Sequence, residues 1–204
     1  GMEIERILQG IAVGAIPVLF AITFHEVAHG WAAKQRGDRT AEMLGRLSLN
    51  PLKHVDPVGT VLVPAMMFVF TGFLFGWAKP VPVAFHQLNR PKRDMIFVAA
   101  AGPLANIAMG IIWAAILKVS VATGIANSFA GPWLIQMSQI GILINALLAA
   151  FNMIPLPPLD GGRVLRGLVE ESIGQYLDRI EPFGLIILVI LLVSGLLWVL
   201  VGPM

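Results

Sequence analysis

The chain has no cysteine among its 204 residues. Disulfides, thiolate metal sites and cysteine nucleophiles are thereby excluded, and any metal must be held by nitrogen and oxygen. Charge is scarce too: Asp, Glu, Lys and Arg make up 13% of the sequence, about half the share usual in soluble domains. The hydrophobic share is 57%, and a chain this apolar needs lipid around it. We therefore expect an all-α polytopic membrane protein, organised as a single membrane-embedded domain over 1–204. A net charge of +2, with scattered Lys and Arg, gives no basis for nucleic acid as a partner. No repeat and no low-complexity tract is present. The opening GMEIERILQ lacks the basic start and cleavage site of a secretory signal, so the first helix is expected to be retained.

A membrane span needs about 20 mostly apolar residues. Runs at 4–33, 58–78, 95–121, 133–151 and 183–201 meet that requirement, which gives about four to five transmembrane helices. Pro17 is expected to kink the first. Nine of the 14 Lys and Arg fall in two loops, 34–57 and 79–94, and such loops belong on the cytoplasmic side. Both cannot lie there if 58–78 crosses once. Pro64 and Gly72 in that run favour a re-entrant hairpin, which is tolerated where protein covers the backbone; the alternative is an ordinary span with a proline kink. The segment 152–162, NMIPLPPLDGG, is expected to be unwound, because its prolines remove backbone donors and its glycines permit unusual conformations. An amphipathic helical stretch follows it.

Residues 24–29 read FHEVAH, three ionisable side chains in an otherwise apolar helix, where each unpaired charge costs about 3 kcal/mol or more. Histidines at i and i+4 share a helix face and can reach one metal ion. Glu26, following the first of them, can take a proton from water activated by that metal. A catalytic zinc site usually has a third protein ligand. His54, Asp56 and His86 lie on the basic loops, and Glu170 and Glu171 lie near Arg163 and Arg166 as partners. Asp160 remains, in an unwound stretch that exists at membrane depth only where it lines a cavity or is buried in protein. A re-entrant 58–78 would also bring Asp160 to the same side as the histidines.

These residues resemble the site-2 protease family, membrane-embedded zinc metalloproteases that cut transmembrane helices. FHEVAHG at 24–30 is similar to its zinc-binding motif, and FNMIPLPPLDGGRVL at 151–165 to its second signature. AAAGPLAN at 99–106, LNPLKHVDPVGT at 49–60 and GWAKPVPV at 76–83 also look like stretches of its compact members. The resemblance implies His25, His29 and Asp160 as ligands of one zinc ion per chain and Glu26 as general base. It implies Asn152, and more weakly Asn106, as contacts to substrate or oxyanion. His54 occupies a recurrent family position and is expected to make a loop or cap hydrogen bond. Implied partners are the lipid bilayer and a membrane-protein substrate with a transmembrane helix, cut in the cell membrane by a multi-pass enzyme whose site faces the cytoplasmic side. The compact form is expected, without a PDZ domain between the spans or a CBS pair after them. GWAKPVPV could offer strand-like pairing to an unwound substrate. The alternative function is a zinc or proton transporter, since intramembrane histidines and carboxylates also mark ion paths.

Overall fold

Stretches that carry Leu, Ile, Val and Ala on every side have no polar face, so as helices they are stable only in lipid or against one another. The computed structural model describes residues 1–71 and 78–195. The first helix, α1, runs over Met2–Gln35 and continues through Pro17; Glu3 and Glu5 lie in its first turn and Lys34 in its last, complementing the helix dipole. The short α2 (Thr40–Met43) follows. A π-helical turn at Pro57–Leu62 leads into α3 (Val63–Thr71). Then come α4 (Pro91–Ala122) and α5 (Gly131–Asn152), each with proline in its first turn, where a missing N–H costs no hydrogen bond. The short helices α6 (Asp160–Leu168), α7 (Glu171–Ile180) and α8 (Gly184–Val193) complete the described chain. Among the described residues there is no strand. Among the described residues three helices, α1, α4 and α5, are long and apolar enough to cross a membrane; the expected last span, 183–201, lies partly outside the described residues.

The bundle is packed with small and polar residues inside. Ala21, Thr23, Gly30 and Ala33 of α1, Gly102 and Asn106 of α4, and Ser138, Gly141 and Asn145 of α5 are buried. Ile107, Ile111, Leu143 and Leu147 point outward. Lipid is as apolar as leucine, so helices in a membrane associate through close backbone approach and hydrogen bonds. Gly141 shows the consequence, since a Cβ there would collide with the Trp113 indole.

The expected hairpin at 58–78 is described up to residue 71 and again at 78, and its residues 72–77 lie outside the described residues. Its flanks meet. Lys79 N–H donates to His54 O at 3.0 Å, and Arg46 Nη2 donates to Lys79 O at 3.0 Å. Asp56 starts the run by accepting from Val58 N and Gly59 N at 2.9 and 3.2 Å.

The irregular segment is shorter than the expected 152–162. Asn152 ends α5, and Asp160, Gly161 and Gly162 form the first turn of α6. Neither glycine has positive φ, so the pair serves space and not unusual conformation. A Cβ on Gly161 would strike the Met153 carbonyl, and one on Gly162 would strike the Pro157 nitrogen. Beneath this loop, Leu159 and Leu188 of α8 are buried together with Phe151, Ile154 and Leu156 packed on them.

Overpacking typically costs about 1–3 kcal/mol. Gly162→Ala is therefore expected to lower the thermal midpoint in detergent, whereas Gly10→Ala, with nothing within 4 Å of the new Cβ, leaves it unchanged or slightly raised. Unfolding curves of the two variants check this.

Candidate metal centre

One turn of α1 separates His25 from His29, and both imidazoles face inward, 7% and 8% exposed. Each ring is held through Nδ1. His29 Nδ1 lies 2.6 Å from Val98 O of α4, and His25 Nδ1 lies 2.6 Å from Asn106 Oδ1. A carbonyl oxygen only accepts, so Nδ1 of His29 carries the proton and its Nε2 presents a lone pair. The two Nε2 atoms are 3.1 Å apart. Asp160, at the start of α6, approaches both: Oδ2 is 3.0 Å from His25 Nε2, and Oδ1 is 3.2 Å from His29 Nε2.

This donor set fits a divalent cation. Lone pairs on nitrogen and a carboxylate converge within 4.8 Å, an arrangement that repels itself without positive charge in its midst. A tetrahedron with ligand distances of about 2.0–2.1 Å has edges of about 3.3 Å, close to the separations observed. Room has been left as well. A Cβ on Gly102 would lie 2.5 Å from His29 Nε2 and 2.7 Å from His25 Cε1, so the glycine of AAAGPLAN is the floor of the centre. Sequence reasoning passed over Gly102, because a glycine in an apolar helix carries no chemical signal.

Glu26 is half-buried, and its Oε2 accepts from Val81 N–H at 2.8 Å. Val81 belongs to an extended strap that is tied down on both sides, with Ala84 N–H donating to Asp38 Oδ2 at 2.7 Å and Lys79 held as described above. Gly30, the residue after the second histidine, gives the strap room: a Cβ there would lie 3.0 Å from Val81 Cγ1 and closer still to the Leu47 side chain. Pro80 and Pro82 have no N–H, and those of Lys79, Val81 and Ala84 are already engaged. The strap therefore has few donors left for an incoming strand.

Of the remaining sequence candidates, Asn106 touches this cluster through His25 and is wholly buried. Asn152 is half-buried and uses one amide hydrogen on Leu148 O at 2.9 Å. His54 is buried, with Nε2 donating to Ser48 O at 2.8 Å, and His86 is exposed. Glu171 is exposed and held by Arg166, which also bonds Asp178, while Arg163 pairs with Glu181 at 2.7 Å. Hydrogen bonds from Arg166 hold the Glu171 carboxyl below the usual carboxylate range. His25, His29 and Asp160 form the one cluster of three potential ligands among the described residues.

The family model of peptidase family M50 matches residues 118–195, a stretch that includes Asp160. The chain is 37% identical to YwhC of Bacillus subtilis over 182 residues, 89% of this chain and 80% of that protein. It is 26% identical to Rip2 of Mycolicibacterium smegmatis, over 86% of this chain and 64% of the relative. The zinc metalloprotease MJ0392 of Methanocaldococcus jannaschii is 29% identical over 91% of this chain and 43% of its own length. No solved structure gives a significant match. The chain belongs to peptidase family M50. It is a metalloprotease with three candidate membrane spans among the described residues.

Gly102→Ala is expected to displace the two imidazoles and lower metal affinity at least about tenfold, within the range for changes next to the ligands. Gly110→Ala, whose new Cβ meets only Asn145 Cβ at 3.7 Å, is the control. Zinc bound per chain after dialysis, measured by elemental analysis, distinguishes them.

Proposed function

We propose that His25, His29 and Asp160 hold one zinc ion and that the chain hydrolyses peptide bonds in the membrane-spanning segments of other proteins. The observation that carries this reading is the convergence of two imidazole nitrogens and a carboxylate, all within 4.8 Å, inside a bundle of apolar helices. Zinc, when bound, supplies the Lewis acidity that makes water a nucleophile near neutral pH and polarises a carbonyl.

The chain's own residues do the rest. Glu26 takes the proton of the attacking water on one carboxylate oxygen while Val81 N–H holds the other, and then returns that proton to the leaving nitrogen. Asn152 keeps a second amide hydrogen beyond the one on Leu148 O. Donated to the carbonyl oxygen as it becomes an anion, such a bond is worth about 3 kcal/mol. A substrate helix must unwind before its carbonyl can be attacked, since its backbone groups are otherwise paired with one another.

The reading also takes 58–78 as re-entrant. Twenty helical residues span about 30 Å, yet the residues flanking this run are hydrogen-bonded at 3.0 Å, which supports both ends lying on one side. The basic loops 34–57 and 79–94 then share the cytoplasmic face, and the metal centre lies toward it.

Glu26→Gln should retain zinc and lose cleavage of a membrane-helix substrate by about 100- to 10,000-fold, whereas Asp160→Asn should lose most of its zinc. Equal cleavage by wild type and Glu26→Gln would remove Glu26 from the chemistry, and zinc flux into proteoliposomes that survives Glu26→Gln would replace hydrolysis by transport. The absence of native cysteine makes topology directly testable. Single cysteines at Lys53 and at Lys92 should react with an impermeant maleimide from the same side of the membrane, and labelling from opposite sides would refute the hairpin.

A further inference from the structure

Asn106 and Asn145 are both wholly buried at the junction of α1, α4 and α5, and the hydrogen bonds of their amides run in one direction. Gly141 O can only accept, so Asn145 Nδ2 donates to it, at 2.8 Å. That turns Asn145 Oδ1 toward α4, where it accepts from Asn106 Nδ2 at 2.9 Å. The same Nδ2 also donates to Ala21 O of α1, at 3.1 Å. Two acceptors on two other helices thus dictate which end of the Asn106 amide faces them. Its Oδ1 is left facing His25 Nδ1, 2.6 Å away.

A flipped Asn106 would present N–H groups to His25, drive the ring proton to Nε2 and aim it at the metal position. It would also set Oδ1 against the carbonyls of Ala21 and Asn145, with acceptor facing acceptor. We propose that Asn145 and Asn106 form a positioning relay that fixes the His25 tautomer and ring orientation from the backbones of α5 and α1, and thereby sets the affinity of the metal centre. The relay acts on one ligand only, because His29 takes its orientation from Val98 O directly. Outer partners of metal-bound histidine commonly act in this way, and their loss costs about 10- to 100-fold in affinity. The inference rests on the metal centre proposed above. In that setting Asn106 is a partner of a ligand and not a contact to substrate.

The test uses the full chain in detergent, with zinc affinity measured by chelator competition, the visible spectrum of the cobalt-substituted protein, and the thermal midpoint of the metal-free form. Asn106→Leu removes the acceptor of His25 and should weaken zinc binding about 10- to 100-fold, with an altered cobalt spectrum. Asn145→Leu leaves Asn106 with one of its two orienting acceptors and should weaken binding less, by about three- to tenfold. Asn145→Asp should restore it. A buried carboxyl stays protonated, so its hydroxyl can donate to Gly141 O while its carbonyl accepts from Asn106. If both leucine variants bind zinc as tightly as wild type, whatever happens to their thermal midpoints, the asparagines only join helices and the relay is refuted. Asn145→Asp binding as poorly as Asn145→Leu would refute the donor and acceptor assignment. Should Asn106→Leu not fold, the two Asn145 variants decide the question by themselves. Wild type that binds no zinc, or His25→Ala that binds it undiminished, would instead overturn the metal centre.

Discussion

The bundle closes around three groups that would repel one another if no positive charge stood among them. Two Nε2 atoms stand 3.1 Å apart with a carboxylate 3.0–3.2 Å from each, in surroundings where water does little screening. Electrostatic terms grow steeply as the effective dielectric falls. The same three groups that would be costly together become a strong site when one divalent cation sits among them. The Nδ1 contacts to Asn106 and Val98 matter for this reason, since they keep protons on the outer side of both rings and leave the inner side to lone pairs. The carboxylate is favoured where it stands, because Asp160 lies in the first turn of α6, at the end of a helix that stabilises negative charge.

Bringing those groups together requires backbones to approach closely, and glycine marks where they do. Gly102 lets α4 run beneath the imidazoles, Gly30 lets the Val81 strap lie on α1, and Gly161 and Gly162 let the first turn of α6 fold onto the loop that precedes it. Gly30 directly follows His29 and Gly161 directly follows Asp160, whereas Gly102 has only Ala101 and Pro103 beside it in sequence. The strap joins two levels of organisation. It is pinned to the basic loop through Lys79 and to the end of α1 through Asp38, and between those ties its backbone holds the carboxylate of Glu26. A loop that looks like a connector in the sequence is thus part of the setting of Glu26.

Much of this was legible beforehand. The His25, Glu26, His29 spacing and the Pro-Leu-Asp-Gly-Gly stretch each carry chemistry that apolar composition cannot disguise, and the long apolar runs mark α1, α4 and α5 to within a few residues. Element boundaries near the loop were less legible. Prolines at 155, 157 and 158 signal broken helix, but nothing local says that helix resumes at Asp160, because that depends on the loop backbone being near enough to exclude a side chain.

Asn106 shows where reading a single sequence stops. A buried asparagine between membrane helices can contact a substrate, join two helices or orient a ligand, and the residue type is the same in all three cases. What decides among them is the direction of the amide, and that direction is set by acceptors 85 and 39 residues away in sequence, on Ala21 and Asn145. Asn145 itself is anchored four residues back along its own helix, so the chain of constraint begins in helical backbone geometry and ends at an imidazole nitrogen. No periodicity or motif encodes such a path. It exists only once three helices have packed, and it ties the chemistry of the HEVAH turn to how closely α5 lies against α4.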